Sequence, residues 1–382
     1  MGVDVLSTPA LNRATLERQL LLRRSTTAPI EVVRHLVGMQ AQIPLNPYLG
    51  LWSRLTRFRP ASLARLLEDR AVVRIVAMRG TIHLLTADDA LVLPRLAQPV
   101  LDRELERHPQ FGPALRGIDL APALAFGRGR LEEAPRTPSE LRAEMAVRFP
   151  DLDPAALAYA CRNHLALVQV PPRGVWGRSG AVRTTTVESW LGRRLARRPS
   201  IDDVVLRYLA AFGPAGAADV GAWSRLGGMA EVLDRLAPRL RPFKDEKGRD
   251  LVDLPDAPRP DPDAPAPPRF LPEYDNVLLS HADRSRFVTD GHRVTRYAGE
   301  RTVQGAVLHD GLVRATWRIE RDRDTDIATL FIDHDGRLTK RAMSSIAAEG
   351  RRMVRFQGVD AAAGEVRFAP RVDEATEVDT RT

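Results

Sequence analysis

The chain reads as an α+β protein, mainly helical. Three times in the first 255 residues, short runs of helical period close on two β-prone runs joined by a tight or charged turn. A stretch dominated by proline, alanine and aspartate spans residues 256–269, and beyond it paired β-prone runs with Asp-Gly turns take over. Helices closing on a β-hairpin are the winged-helix pattern, a relative of helix-turn-helix. The expected architecture is therefore three tandem winged-helix domains followed by a small C-terminal β-barrel. The expected boundaries are 1–115, 116–197 and 198–255 for the winged helices, 256–269 for the linker and 270–382 for the barrel.

In the first unit, Leu11-Asn12-Arg13 opens a helix running to Leu22, and Pro29 to Val37 predicts a second. Asn46-Pro47 supplies a cap and first turn for a helix with Tyr48, Leu51, Trp52 and Leu55 on one stripe, and Pro60 to Asp69 predicts another. Val72 to Met78 and Thr81 to Leu85 flank Arg79-Gly80 as the first hairpin. The second unit starts at the capping box Thr137-Pro138-Ser139-Glu140, continues with a helix from Asp153-Pro154 to His164, and closes with strand Leu165–Val170, turn Pro171–Gly174 and strand Val175-Trp176. The third starts at Ser200-Ile201-Asp202-Asp203, carries helices through Phe212, from Ala217 to Leu226 and from Glu231 to Leu236, and ends in a charged wing tip over Arg241–Arg249. After the linker, a stiff and exposed connector, Gln304–Leu308 and Leu312–Glu320 predict a hairpin, Ile327–Ile332 a further strand and Thr339–Arg352 a helix against the sheet.

Composition narrows the partners. With 382 residues the chain can bury several cores, and its formal net charge of +8 favours a polyanion, a solvated basic surface being the alternative. All but three of its 57 basic residues are arginine, the lysines being Lys244, Lys247 and Lys340. A single cysteine, Cys161, excludes intrachain disulfides, zinc ribbons and cysteine-ligated iron–sulfur clusters, and fits a reducing cytoplasm. Met1 to Thr27 holds no apolar run long enough for a signal peptide or membrane span, so a cytoplasmic protein with no membrane partner is expected.

Most chemistry-bearing motifs are missing. No metal-ligand spacing occurs, no cofactor loop occurs, and Cys161 sits in an apolar helical pattern as a packed thiol. The run Glu320–Asp326 alternates charge and reads as a solvated turn. What remains is Gln40-Ala41-Gln42, bracketed by Gly38 and Pro44 after a helix. Two amides at i, i+2 share a side only on extended backbone; on a helix they would diverge by roughly 200°. So placed, they can hold a water, read a base edge or face a forming cation with their carbonyls. Capping of the preceding helix is the plainer alternative. Arg79 at the first wing turn is read as a phosphate contact or a solvated arginine, and His83 as a packed strand residue or a functional one.

Four segments in order carry a resemblance: Gln40-Ala41-Gln42; Met78-Arg79-Gly80-Thr81-Ile82-His83-Leu84; Tyr208…Phe212-Gly213-Pro214…Asp219…Trp223; and Leu271-Pro272-Glu273-Tyr274-Asp275-Asn276…His281-Ala282-Asp283-Arg284-Ser285-Arg286. From about Leu11 to past Trp317 the chain resembles the winged-helix DNA glycosylases of the AlkZ/YcaQ family, in its AlkZ-like Gln-x-Gln branch. The resemblance implies three winged helices and a barrel, and a monofunctional glycosylase that hydrolyses the N-glycosidic bond of N7-alkylated purines. Bulky natural-product adducts or interstrand crosslinks are the expected substrates, in DNA repair or in self-resistance of an antibiotic producer.

On that resemblance Gln40 and Gln42 are the catalytic pair. The candidate DNA-binding set is Arg79, Thr81, His83, Arg173, Lys244, Lys247, Arg249, Arg284 and Arg286. Neither a cofactor nor a metal is expected, the partner is double-stranded DNA carrying alkylated purines, and a monomer is expected. Position 42 lacks a carboxylate base, which suits a substrate whose base is already cationic and leaves readily. The competing class is a non-catalytic winged-helix DNA-binding regulator, although three fused units without a dimerisation helix fit a palindrome reader poorly.

Overall fold

The computed structural model describes residues 3–289, 304–321, 328–357 and 364–370, and every structural statement here concerns those residues. Local signals set most element starts. Ser7 caps the helix Thr8–Arg18 by accepting from the Ala10 amide, and Leu20, at φ 57°, turns the chain away before the Leu22 end that periodicity predicts. Thr137 and Glu140 form the reciprocal capping box, and Ser200 caps the helix Ile201–Phe212.

The strands assemble into three sheets. The first has the order Met39–Gln40, Ile82–Thr86, Val72–Val76, Leu167–Gln169, Thr184–Thr186, with every neighbour antiparallel. The hairpins of the first two units thus share one sheet, joined where Arg74 and Ile75 pair with Gln169 and Val168. The second unit's returning strand is Thr184–Thr186, a correction to the predicted Val175-Trp176. Those two residues are drawn instead toward Tyr48, whose hydroxyl donates to the Gly174 carbonyl and accepts from the Trp176 amide. Three consecutive β-branched threonines then take the pairing.

Arg241–Asp245 and Asp250–Asp253 form the third hairpin, extended by the parallel strand Asp4–Leu6 near the chain start. The last sheet has the order Arg269–Leu271, Gly305–His309, Leu312–Arg321, Ala328–His334, Gly364–Pro370. It corrects the expected barrel: among the described residues no sheet closes, because the first and last strands lie on opposite edges. Its final pair is parallel, reached through the helix Lys340–Phe356, which packs Ile346, Met353 and Val354 against Phe270, Leu330 and Ile332. The run predicted as a solvated acidic turn, Glu320–Asp326, lies largely outside the described residues.

Residues 256–268 form no regular element and are largely exposed, but they are not a free connector. Arg13 donates to the Ala264 carbonyl and Arg18 to that of Pro258, which pins the segment along the first helix. Helices Leu93–Glu106, Phe111–Leu115 and Ala121–Glu133 fill the stretch between the first hairpin and the capping box at Thr137. Among the described residues, no helix is long and apolar enough to cross a membrane.

Candidate active site

The Gln-Ala-Gln segment gains its extended backbone from a pairing. Val37 and Gly38, at φ 54° and +91°, reverse the chain after the helix Pro29–His35. Met39 and Gln40 then pair with Leu84 and His83, and the Ala41 amide donates to Ile82 O at 2.7 Å. Gly38 is required: a Cβ there would lie 2.3 Å from Leu85 Cδ2 and 3.1 Å from Leu84 O. Ala41 is sealed in a core with Val32, Tyr48 and Leu84, and alternation turns Gln40 away from that core, while Gln42 follows the strand in a bend outside the cleft lining. Gln40 is 8% exposed, whereas Gln42 is exposed and its Oε1 meets the Ile82 amide at 3.4 Å.

Arg79 reaches Gln40 from the turn of the first hairpin, where its own φ is 61°. Its Nη2 donates to Gln40 Oε1 at 2.8 Å and approaches Asn276 Oδ1 at 3.2 Å and His83 Nε2 at 3.3 Å. Its Nη1 donates to Trp223 O at 2.8 Å. Because arginine only donates, His83 Nε2 is the acceptor and Nδ1 carries the proton toward Thr81 O at 3.0 Å. Burial first, and then the neighbouring Arg79 charge, push the His83 pKa down to about 3, so the ring is neutral at physiological pH.

Gln40 and Arg79 sit in the wall of an open cleft of about 1270 Å³. Arg103, Arg107, Arg225 and Arg284 line it as well, giving a concave basic surface. The carboxylate in the wall, Glu104, accepts from the Tyr159 hydroxyl and the Asn163 amide. Sequence reasoning missed Arg103, Arg107 and Arg225. The first two are four apart at the end of a helix, a spacing that puts them on one face; Arg225 carries no comparable signal, being a left-handed C-cap.

The predicted binding residues divide by position. Thr81, Arg79 and Arg284 line the cleft with Gln40, and His83 lies behind Arg79, 1% exposed. Arg173, half-buried on the turn after Leu167–Gln169, is outside the cleft lining, and so are Lys244, Lys247 and Arg249 on the third hairpin. There Lys244 pairs with Asp250, Lys247 with Asp283, and Arg249 with both Asp245 and Asp283. Arg286 is 3% exposed and donates to Thr15 Oγ1 and Pro214 O, an interior position that offers a phosphate no approach.

The two downstream motifs brace this wall. Asn276 Nδ2 donates to Gly38 O, Asn46 donates to Glu273 O, and Asp275 takes two 2.8 Å bonds from the buried Arg54. Tyr208 donates to Ser280 O, and Asp219 accepts from the amides of Gly216 and Ala282. Among the described residues no group of three or more His, Cys, Asp or Glu could hold a metal ion.

The family model described as DNA glycosylase AlkZ-like matches residues 33–356. None of the curated proteins matches the chain. A solved structure, the DNA glycosylase AlkZ of Streptomyces sahachiroi, is similar over 96% of this chain and 100% of its own, with a TM-score of 0.78 and 21% identity. At that identity the likeness is one of fold.

Proposed function

The chain belongs to the AlkZ-like DNA glycosylase family, and from that premise we propose that it hydrolyses the N-glycosidic bond of N7-alkylated purines in duplex DNA, with Gln40 and Gln42 at the reacting centre. The observation that carries the reading is the placement of Gln40 in the wall of an arginine-lined cleft. N7 alkylation makes the purine cationic. When the C1′–N9 bond breaks, its electron pair leaves with a neutral base, so no acid is required. The sugar becomes oxocarbenium-like, a water oxygen bonds to C1′, and the water's surplus proton passes to solvent. Amide dipoles suit such a step, because they orient water and substrate without titrating.

Hydrolysis without a lyase step fits the lysines: Lys244 and Lys247 are engaged by carboxylates, and Lys340 opens a helix packed on the last sheet. We read the three helix–hairpin units as winged-helix domains, the first and third of which shape the cleft together with the segment Tyr274–Arg284, and the chain as a monomer that holds a single duplex. An open cleft suits bulky adducts or crosslinked bases that cannot be flipped into a closed pocket, the lesions a producer of alkylating antibiotics must repair.

The test is base release from duplex DNA containing 7-methylguanine or a natural-product N7 adduct, read as abasic sites. Gln40→Ala and Gln42→Ala are expected to abolish release while leaving DNA affinity within a few-fold. Release by both variants at the wild-type rate removes the catalytic assignment. Binding by wild type without release from any adduct replaces the reading with that of a DNA-binding regulator.

A further inference from the structure

We infer that Arg79 is a positioning residue that locks the Gln40 amide with its N–H end toward the cleft, so that Gln40 acts there as a hydrogen-bond donor. This deepens the proposed function and rests on it for the chemistry, but not for the geometry.

The orientation of a glutamine amide is fixed by what faces it. At 2.8 Å from a guanidinium, which has five donors and no acceptor, only the oxygen end fits; the reversed amide would set donor against donor. Gln40 Nε2 has no hydrogen-bond partner among the described residues, and its side chain lies in the cleft wall. The end presented to substrate is therefore the donor. A donor suits the departing base, whose ring nitrogens gain electron density as the bond to C1′ breaks.

Arg79 is itself held by groups far apart in sequence: Trp223 O at the end of helix Ala217–Ser224, Asn276 Oδ1 just after the last sheet's edge strand Arg269–Leu271, and the neutral His83 of its own hairpin. A swing toward a phosphate would surrender all of these together with Gln40. Its left-handed backbone at the turn aims the side chain back over the sheet. Arg79 thus joins three parts of the chain at the Gln40 amide.

The experiment uses the full chain in single turnover on 7-methylguanine duplex, with DNA affinity measured in parallel. Arg79→Ala is expected to slow release about 10- to 100-fold with Kd changed less than twofold, the range for losing one charge-assisted hydrogen bond. Added guanidinium ion should restore part of the rate, and equal sodium should not. Weaker binding with a salt slope reduced by about one and an unchanged rate would identify a phosphate contact and overturn the inference. Gln40→Glu keeps an acceptor but removes the donor, so release as slow as in Gln40→Ala is expected; wild-type release by Gln40→Glu refutes the donor role. Should wild type release no base, the proposed function fails separately, and crystal structures decide: Gln40 turned from its place in Arg79→Ala supports the positioning, and Gln40 unmoved overturns it. Where Arg79→Ala does not fold, Arg79→Lys takes its place, since one ammonium cannot serve four acceptors.

Discussion

Replacing Asp275 by asparagine isolates the interaction that ties the segment after the last sheet's edge strand to the helix Asn46–Arg54. Arg54 and Asp275 have side chains 1% and 3% exposed and share two parallel bonds of 2.8 Å. Asp275 also accepts from the Val277 amide, while Arg54 donates further to Gly50 O and Gln19 Oε1. Asp275→Asn is nearly isosteric, so little packing is lost. It strands a guanidinium whose Nε already lacks a partner, and it puts an N–H₂ group against a donor. Removing one member of a buried pair costs about 3–5 kcal/mol, against roughly 0–1 kcal/mol for an exposed pair such as Arg193–Asp88. Urea unfolding of wild type, Asp275→Asn and Asp88→Asn measures both. The double replacement Arg54→Met with Asp275→Leu removes both charges and is expected to cost less than Asp275→Asn alone. A loss under about 1 kcal/mol for Asp275→Asn, or a double variant worse than the single, refutes the reasoning.

Two further outcomes follow from the wall around Gln40. Gly38→Ala adds a Cβ 2.3 Å from Leu85 Cδ2 at φ +91°, so a loss of at least about 2 kcal/mol and slower base release are expected, whereas Gly177→Ala, at φ +72° with nothing within 4 Å, should cost about 1 kcal/mol and leave release intact. Thermal melts of both variants check this. Stability should also fall as pH drops below 6.5: His83 is held neutral with its pKa near 3, so the unfolded chain binds the extra proton first, and His83 alone removes about 2 kcal/mol by pH 5. His281, buried and also shifted down, adds to the same trend, and a melting temperature equal at pH 7 and pH 5 contradicts it.

Element starts were legible because their causes are local. Thr137, Asp153 and Ser200 each cap from a side chain two or three residues away from the amide they satisfy, whereas the first helix starts at Thr8 under a Ser7 cap, before the Leu11 start expected. The hairpins at Arg79-Gly80 and Asp310-Gly311 follow from turn residues that accept positive φ. The second hairpin misled because Val175 and Trp176 look β-prone, yet a tyrosine 126 residues from Gly174 claims their backbone. The barrel misled for a related reason: a count of strands says nothing about whether the two edges meet.

The site shows the same division. Gly38 and Pro44 were enough to place Gln40 beyond the end of the helix, and the order of the four motifs was enough to point to the family that residues 33–356 match. Which arginines face solvent was not legible, because arginines read alike in sequence whether they meet a phosphate or a carbonyl. Arg286 lies inside against Thr15, and Arg79 turns inward to Trp223 and Asn276, 144 and 197 residues away, while Arg103 and Arg225 come together at the cleft across 122 residues. Alternation, caps and motif order are properties of neighbours along the chain and were determined by the sequence alone. The direction of each guanidinium depends on which distant acceptors folding brings within 3 Å, and only the tertiary structure decided it.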